Sequence, residues 1–301
     1  MSTIIRFRVP GSSANIGPGF DALAIALNVF LECRFSVSNK LAIRASGRDA
    51  HLISTKDDNL IWQTALATAA RVNRPLPAVD LEIINDIPLG KGLGSSAAAL
   101  ISGVIMAERL LDLRWNPHRI LDEAARIEGH PDNVAACVLG SVVASAVDPG
   151  GIARAVRIAM PSSVAIAVVA PDYSVPTKVA RSVLPEYYSM ADAVWNIQRA
   201  ALLVAALSCG DLSAFPTALD DRMHQPYRLQ LVPGLSEILR IRTPGLLGCA
   251  MSGAGPAVLV FYEKGCSHVV ELVRQAFAMN GSTTEIVATG ISQNGFEFLG
   301  V

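Results

Sequence analysis

Residues 78–111, AVDLEIINDIPLGKGLGSSAAALISGVIMAERLL, change character twice in quick succession. Val79, Leu81 and Ile83 alternate with Asp80 and Glu82, the period-two signature of a strand with one buried face. From Ser95 the pattern becomes helical, opened by two serines. Between them Gly90, Gly92 and Gly94 remove three Cβ atoms, so backbone N–H groups can close around an anion, with the positive end of the following helix dipole behind them. Ser95 and Ser96 add hydroxyls suited to a phosphate oxygen or a magnesium ion. The loop is not GxxxxGK[ST], because glycine follows Lys91, and it is not GxGxxG. Taken alone, it reads equally well as a glycine-rich connection with serine caps.

The rest of the chain bounds what such a loop could serve. At 301 residues a prior of ~150 residues per domain suggests two lobes. With 51% hydrophobic and 17% charged residues and a net charge of −1, neither a disordered tail nor a basic nucleic-acid binder is indicated. No apolar run approaches the ~20 residues of a membrane span, and the N-terminus lacks the apolar core of a secretory signal. Five scattered cysteines without CxxC or Cys/His metal spacing fit reduced thiols, and the expected location is cytoplasmic.

Strands are expected at 4–9, 28–37, 78–87, through 140–170 and around 246–262, with short strands at the end. Helices are expected at 58–72 (capped by Asp58 or Asn59), 95–111, 117–127, 189–210 and 268–279. The elements cluster without a repeating βαβ unit, which favours α+β over a doubly wound sheet. A seam between lobes is placed somewhere in 150–175.

Three further stretches could carry chemistry. IEGHPDNVA, 127–135, sets Glu128, His130, Asp132 and Asn133 within six positions, and a carboxylate here could hold nucleotide-bound magnesium; a polar helix–strand connection would look the same. GCAMSGAGPAVLVF, 248–261, makes a glycine turn that permits close backbone approach to a ligand, or a bare hairpin turn. PGSSANIGPGFDALAIAL, 10–27, reads as a glycine-, proline- and serine-rich first loop that sets Asp21 beside an apolar run.

Together these segments are far more specific than any one of them. SSANIGPGFD, PLGKGLGSSAAA and SGAGP, in this order across the whole chain, resemble the three motifs of the GHMP small-molecule kinases. Within that superfamily the match is closest to the homoserine kinases, through VPGSSANIGPGFDALAIAL, EGHPDNVA and HQPYRLQLVPGLSEI (224–238). The resemblance implies a two-lobed α+β fold, with a ribosomal S5 domain 2-like N-terminal lobe (1–155, ATP-binding) and a ferredoxin-like C-terminal lobe (156–301). It also implies an ATP- and Mg2+-dependent O-phosphotransferase making O-phospho-L-homoserine from L-homoserine on the route to threonine, with a homodimer as the common family state. Another GHMP kinase, acting on mevalonate, a sugar or a shikimate-like alcohol, and a non-catalytic ligand sensor are the competing readings.

Residue by residue, the resemblance assigns the nucleotide to Pro88, Leu89, Gly90, Lys91 and Gly92, then to Leu93, Gly94, Ser95, Ser96 and Ala97, with Asn59 at the adenine end. Ser96 and Glu128 correspond to the magnesium ligands. Asn15, Asp21, Asn133, Arg181, Arg228 and Gly253 fall to the substrate, and Asp21, Asn133 and Thr177 to catalysis. The chemistry agrees: a zwitterion needs a fork of N–H donors for its carboxylate and acceptors for its ammonium and hydroxyl. Asp21 is expected to orient the hydroxyl, with no strong dedicated base, since an asparagine such as Asn133 cannot accept the proton. Gly11, Ala24, Ala136 and Ser141 depart from the family's usual residues without removing a proposed ligand.

Overall fold

A computed structural model describes residues 4–288 and 290–300; residues 1–3, 289 and 301, which fall within the expected domain spans, lie outside the described residues. The first half builds a mixed sheet with helices on one side. Strands β1 (Ile5–Asn15) and β2 (Gly19–Val37) form a long antiparallel hairpin. β3 (Ala42–Gly47), helix α1 (Leu60–Arg71) and β4 (Val79–Asn85) follow, with β3 and β4 parallel across the α1 crossover. Next come α2 (Ser95–Leu110), α3 (Pro117–Glu128), α4 (Asp132–Leu139), β5 (Val142–Val147) and β6 (Ala153–Ile158). The long β2 is shared, pairing with β5 through Leu23–Ile25 and with β4 through Leu31–Val37.

Local chemistry accounts for these elements. Val79, Leu81 and Ile83 of β4 are fully buried, as their alternation demands. Asn59 caps α1 by accepting from the N–H groups of Ile61 and Trp62, and Asn116 caps α3 ahead of Pro117. α1 and α2 approach so closely that a Cβ on Gly103 would collide with the Ile61 carbonyl and the Thr64 side chain, so a glycine interrupts an otherwise good helix.

The second half holds β7 (Val164–Pro171), α5 (Thr177–Ser182), α6 (Met190–Cys209), α7 (Phe215–Ala218), α8 (Gln225–Arg228) and α9 (Leu235–Arg240). β8 (Leu246–Met251), β9 (Val258–Glu263), α10 (Val270–Met279), β10 (Thr284–Ala288) and β11 (Glu297–Phe298) complete it. The sheet order β10-β7-β9-β8, antiparallel throughout, is the ferredoxin-like arrangement. Ile166 and Val168 of β7 join the large core shared with the first sheet, whereas Ala167 and Val169 face a second core beneath α9 and α10. Burial on both faces explains why this strand reads as an unbroken apolar run.

The first sheet ends at Ile158 and the second begins at Val164, yet the chain then returns: β11 pairs with β1, setting Phe298 opposite Phe7. The α+β class and every expected long helix are present. The opening stretch 10–27, expected as a loop, is instead the end of the β1–β2 hairpin, with register shifts between Pro10 and Ser12 and between Ala14 and Asn15. Those bulges consume the glycines and serines that made it look irregular. EGHPDN is likewise not a bare connection to a strand, because Asp132 begins α4. Ser141 holds a positive φ of 59°, a conformation that glycine adopts without strain.

Candidate active site

The hairpin tip, the glycine loop and the 252–256 turn are stitched together by main-chain hydrogen bonds. Ser12 N donates to Leu93 O (2.9 Å), Gly253 N to Ala14 O (3.0 Å) and Ala257 N to Lys91 O (3.2 Å). Ser252 Oγ donates to the Gly92 carbonyl (2.7 Å) and shares a hydrogen bond with Ser13 Oγ (2.8 Å). Gly90, Gly92 and Gly94 all take positive φ, and a Cβ on Gly92 would strike the Ser252 carbonyl oxygen, one on Gly94 the Ser12 hydroxyl. The glycines therefore serve backbone curvature and the mutual approach of the three segments at once. Between these segments and α5 lies a cavity of about 260 Å3.

One end of the cavity is lined by Gly90, Gly92, Leu93, Gly94, Ser95, Ser96 and Ala97. Gly94 caps α2 with no side-chain acceptor, so the first-turn N–H groups have no capping oxygen and face the site of an anion. Four assigned residues are not brought to this lining. Lys91 turns away, its Nζ donating to the carbonyls of Pro171 (2.8 Å) and Tyr173 (2.6 Å), and burial lowers its pKa. Asn59 spends its side chain on the α1 cap and on Ser54 O (2.6 Å). Pro88 and Leu89 lie outside the lining, and Leu89 N donates to Asp49 Oδ2 (2.9 Å).

The acidic wall is the α3–α4 turn. Glu128 is the last residue of α3, at the end of the helix dipole that disfavours a carboxylate. It has neither hydrogen bond nor ion pair among the described residues, and burial pushes its pKa up. A half-buried acid left this way fits a divalent cation, with the exposed Ser96 hydroxyl lining the same cavity. Asp132 stands at the favourable end of α4, and its Oδ1 already takes His130 Nδ1 (2.7 Å) and Asn133 N (2.7 Å). That contact raises the His130 pKa. Asp21, His130 and Asp132 bring ligand-type atoms within 4.8 Å of one another, but their oxygens and nitrogens are largely committed to protein partners. Asn133 Oδ1 accepts from Ser12 Oγ (2.8 Å), tying α4 to the hairpin.

The opposite end holds Asn15, Phe20, Asp21, Thr177, Arg181, Arg228 and Gly253. Asn15, Ile16 and Asp21 all carry positive φ (74°, 44° and 55°), a cluster of non-glycine strain of the kind found at ligand sites. Asn15 is buried and both ends of its amide are used: Nδ2 donates to Gly253 O (3.0 Å) and Oδ1 accepts from Asp21 N (3.1 Å). It fixes the backbone that presents Asp21. Arg181 grips the Asp21 carboxylate with both Nη atoms (3.1 and 2.8 Å). Arg228, 2% exposed, donates instead to neutral acceptors: Nε to Ala180 O (3.0 Å), Nη1 to Gly253 O (3.1 Å) and to His224 Nδ1 (3.1 Å). Burial, with Arg181 nearby, lowers its pKa to about 10. Thr177 opens α5 at the cavity rim.

Sequence reasoning did not assign His130, Asp132, Phe20 or His224 to the site. The first two lie inside the quoted EGHPDN and were within reach. Phe20 lies inside the quoted SSANIGPGFD and His224 opens the quoted HQPYRLQLVPGLSEI, but they stack on each other (centroids 5.4 Å apart) from distant parts of the chain, and no local pattern announces that pairing.

Comparison with known proteins matches residues 59–141 to the GHMP kinases N terminal domain and residues 195–273 to the GHMP kinases C terminal domain. A homoserine kinase of Solibacter usitatus (strain Ellin6076) is 61% identical over 290 residues, covering 96% of this chain and 95% of that protein. One from Moorella thermoacetica is 39% identical over 275 residues, covering 91% and 93%. The crystal structure of homoserine kinase from Cytophaga hutchinsonii superposes with a TM-score of 0.83 at 25% identity, covering 98% and 97%. The chain belongs to the GHMP kinases and, within them, to the homoserine kinase family.

Proposed function

We propose that this chain transfers the γ-phosphoryl group of ATP to the side-chain hydroxyl of L-homoserine, giving O-phospho-L-homoserine and ADP. The observation that carries the reading is the placement of one carboxylate, Asp21, and two guanidinium groups, Arg181 and Arg228, across a small cavity from the glycine loop and α2 N-terminus. An α-amino acid presents the complementary charges, and a 260 Å3 space suits a short side chain next to a phosphate.

The glycine loop and the first turn of α2 receive the triphosphate through backbone N–H groups. Ser96 and Glu128 would hold the Mg2+ that accompanies ATP, which supplies charge neutralisation on the phosphate oxygens. Arg228 receives the substrate carboxylate, and Asp21 is the acceptor that aims the hydroxyl, with Asn15 behind it. Asn133 and Thr177 line the path between hydroxyl and phosphate. Both Asp21 carboxylate oxygens accept from Arg181, so the residues work by positioning; the loose transition state of phosphoryl transfer asks for little more.

The chain is also read as a homodimer of the cytoplasm. Tyr187 (81% exposed), Met190 (80%) and Ile197 (68%) form, with Val194, an exposed apolar stripe at and along α6. All five cysteines are unpaired, and among the described residues no helix is long and apolar enough to cross a membrane. Light scattering of the purified protein checks the dimer; a monomer at micromolar concentration overturns it.

A coupled ADP-release assay with Mg·ATP and homoserine, threonine, serine or mevalonate offered in parallel tests the reaction. Turnover of homoserine above the other three is expected. Turnover of mevalonate without homoserine overturns the substrate, and inertness toward all four with ATP still bound overturns the enzyme reading.

A further inference from the structure

His224 is fully buried, and elementary donor–acceptor chemistry fixes its tautomer from both sides. Its Nε2 lies 2.7 Å from the carbonyl of Gly17, which can only accept, so Nε2 carries the proton. Its Nδ1 lies 3.1 Å from Arg228 Nη1, which can only donate, so Nδ1 is bare. The ring is therefore neutral, and its burial, which lowers its pKa, keeps it so.

The imidazole is held in that attitude by everything around it. Asp221, itself buried, accepts from the backbone N–H groups of Met223 (2.9 Å), His224 (3.1 Å) and Gln225 (2.7 Å) and from Asn196 Nδ2 (2.8 Å) of α6. Phe20 covers the ring face, and Arg181 and Arg228 each stand 5.6 Å from the centre of the Phe20 ring. Gly17 belongs to the tip of the β1–β2 hairpin that presents Asp21, so one imidazole spans the tip and the guanidinium.

The two arginines of the cavity are thereby made different. Arg181 faces a carboxylate and is compensated. Arg228 meets two backbone carbonyls and a neutral ring, and its Nη2 makes no hydrogen bond to the protein among the described residues. We propose that His224 is a positioning residue for substrate selection: it orients Arg228 through a neutral acceptor that adds no negative charge of its own, although Asp221 Oδ2 lies 3.5 Å from the imidazole Nε2, so that this guanidinium selects an α-carboxylate. The proposal rests on the reading that Arg228 receives that carboxylate. An acid at position 224 would orient the same guanidinium but neutralise it, and the cavity would lose its preference for a zwitterion.

Asparagine reproduces the Nδ1 position of histidine and glutamine the Nε2 position, so two near-isosteric variants separate the two bonds. His224→Asn keeps an acceptor for Arg228 and gives up Gly17; His224→Gln does the reverse. Thermal melting and ATP binding are read first, then KM and kcat for each substrate. KM for homoserine is expected to rise at least tenfold in His224→Gln, with kcat and KM for ATP within threefold of the parent, and to stay within threefold in His224→Asn. The His224→Gln penalty should vanish with homoserinamide, which lacks the carboxylate. If His224→Gln does not fold, His224→Asp, isosteric with the asparagine variant, is expected to raise KM for homoserine tenfold where His224→Asn does not. Equal effects of the asparagine and glutamine variants, or a penalty that persists with homoserinamide, overturn the proposal. Arg228→Ala is measured alongside: unchanged KM for homoserine overturns the Arg228 reading itself, whereas a raised KM there with a neutral His224→Gln overturns only the role of His224.

Discussion

Helix α3 carries two glutamates five positions apart that the fold treats in opposite ways. Glu123 is buried in a ring of guanidinium groups: Arg126 Nη2 at 2.6 Å, Arg71 Nε at 3.0 Å and Arg119 Nη2 at 4.0 Å. It binds α1 to α3, although Arg71 makes an ion pair without hydrogen-bond geometry. Glu128, at the end of the same helix, has no such partner, sits at the unfavourable pole of the dipole and looks into the cavity. A carboxylate surrounded by compensation fits a role in stability; one left open at a cavity fits compensation by what binds. The contrast separates their roles more sharply than burial alone would.

The largest effect expected from that contrast is on turnover. Glu128→Gln keeps shape and removes the charge, and kcat/KM measured by ADP release should fall by about 10³-fold, in line with loss of a group that works through charge in the transition state. Glu123→Gln should stay within about threefold of the parent in the same assay. Comparable losses in the two variants would erase the distinction drawn here.

Asp21 stands between the two cases, because it is compensated by Arg181 yet faces the cavity. The pair is about one-third exposed, so its strength in the free protein is modest and a zwitterion can compete for both members. Asp21→Ala should reduce turnover about 10²-fold while ATP binding, followed by calorimetry, remains intact. Near-normal turnover would place Asp21 with Glu123 among the structural acids.

What the sequence made legible follows the same division between local and distant compensation. The glycines at 90, 92 and 94, the serines after them and the caps at Asn59 and Asn116 act within a few residues of themselves, and their spacing reveals them. Lys91 is assigned to the nucleotide through the resemblance alone, and its ammonium is claimed by the carbonyls of Pro171 and Tyr173, some eighty residues on. Asn15 looked like a substrate ligand, and its amide is claimed by Gly253. His224 lies within a quoted motif but carries no role there, because its meaning lies in Gly17 and Arg228 together, and only the folded chain brings those into contact. The hairpin at 10–27 was hidden by composition: the bulges that bend it toward the cavity require the small residues that imitate a loop.

A smaller effect is expected on stability, with the roles of the two glutamates exchanged. Glu123→Gln leaves Arg71 and Arg126, each more than 40% exposed, free to turn to water, so the loss should be about 1–2 kcal/mol, short of the full cost of stranding a buried charge. Scanning calorimetry should then show Tm lower by roughly 2–6 °C. An unchanged Tm would mean that the guanidinium ring does no more than an amide can.

The smallest effect has the opposite sign. Because the folded-state pKa of Glu128 lies above its ordinary value of 4.5, its charged form is penalised by folding, and the penalty is present in full once pH exceeds that raised folded-state value. Removing that charge should therefore raise Tm in Glu128→Gln, by about 1–3 °C in the absence of nucleotide and Mg2+. As pH falls through the raised folded-state pKa toward 4.5, the parent takes up its proton more readily when folded than when unfolded, and the penalty disappears. The two melting curves should converge over that interval. A Tm advantage for Glu128→Gln that is constant with pH would mean that the gain comes from packing or the helix terminus, and that the Glu128 carboxylate is not held at a cost by the fold.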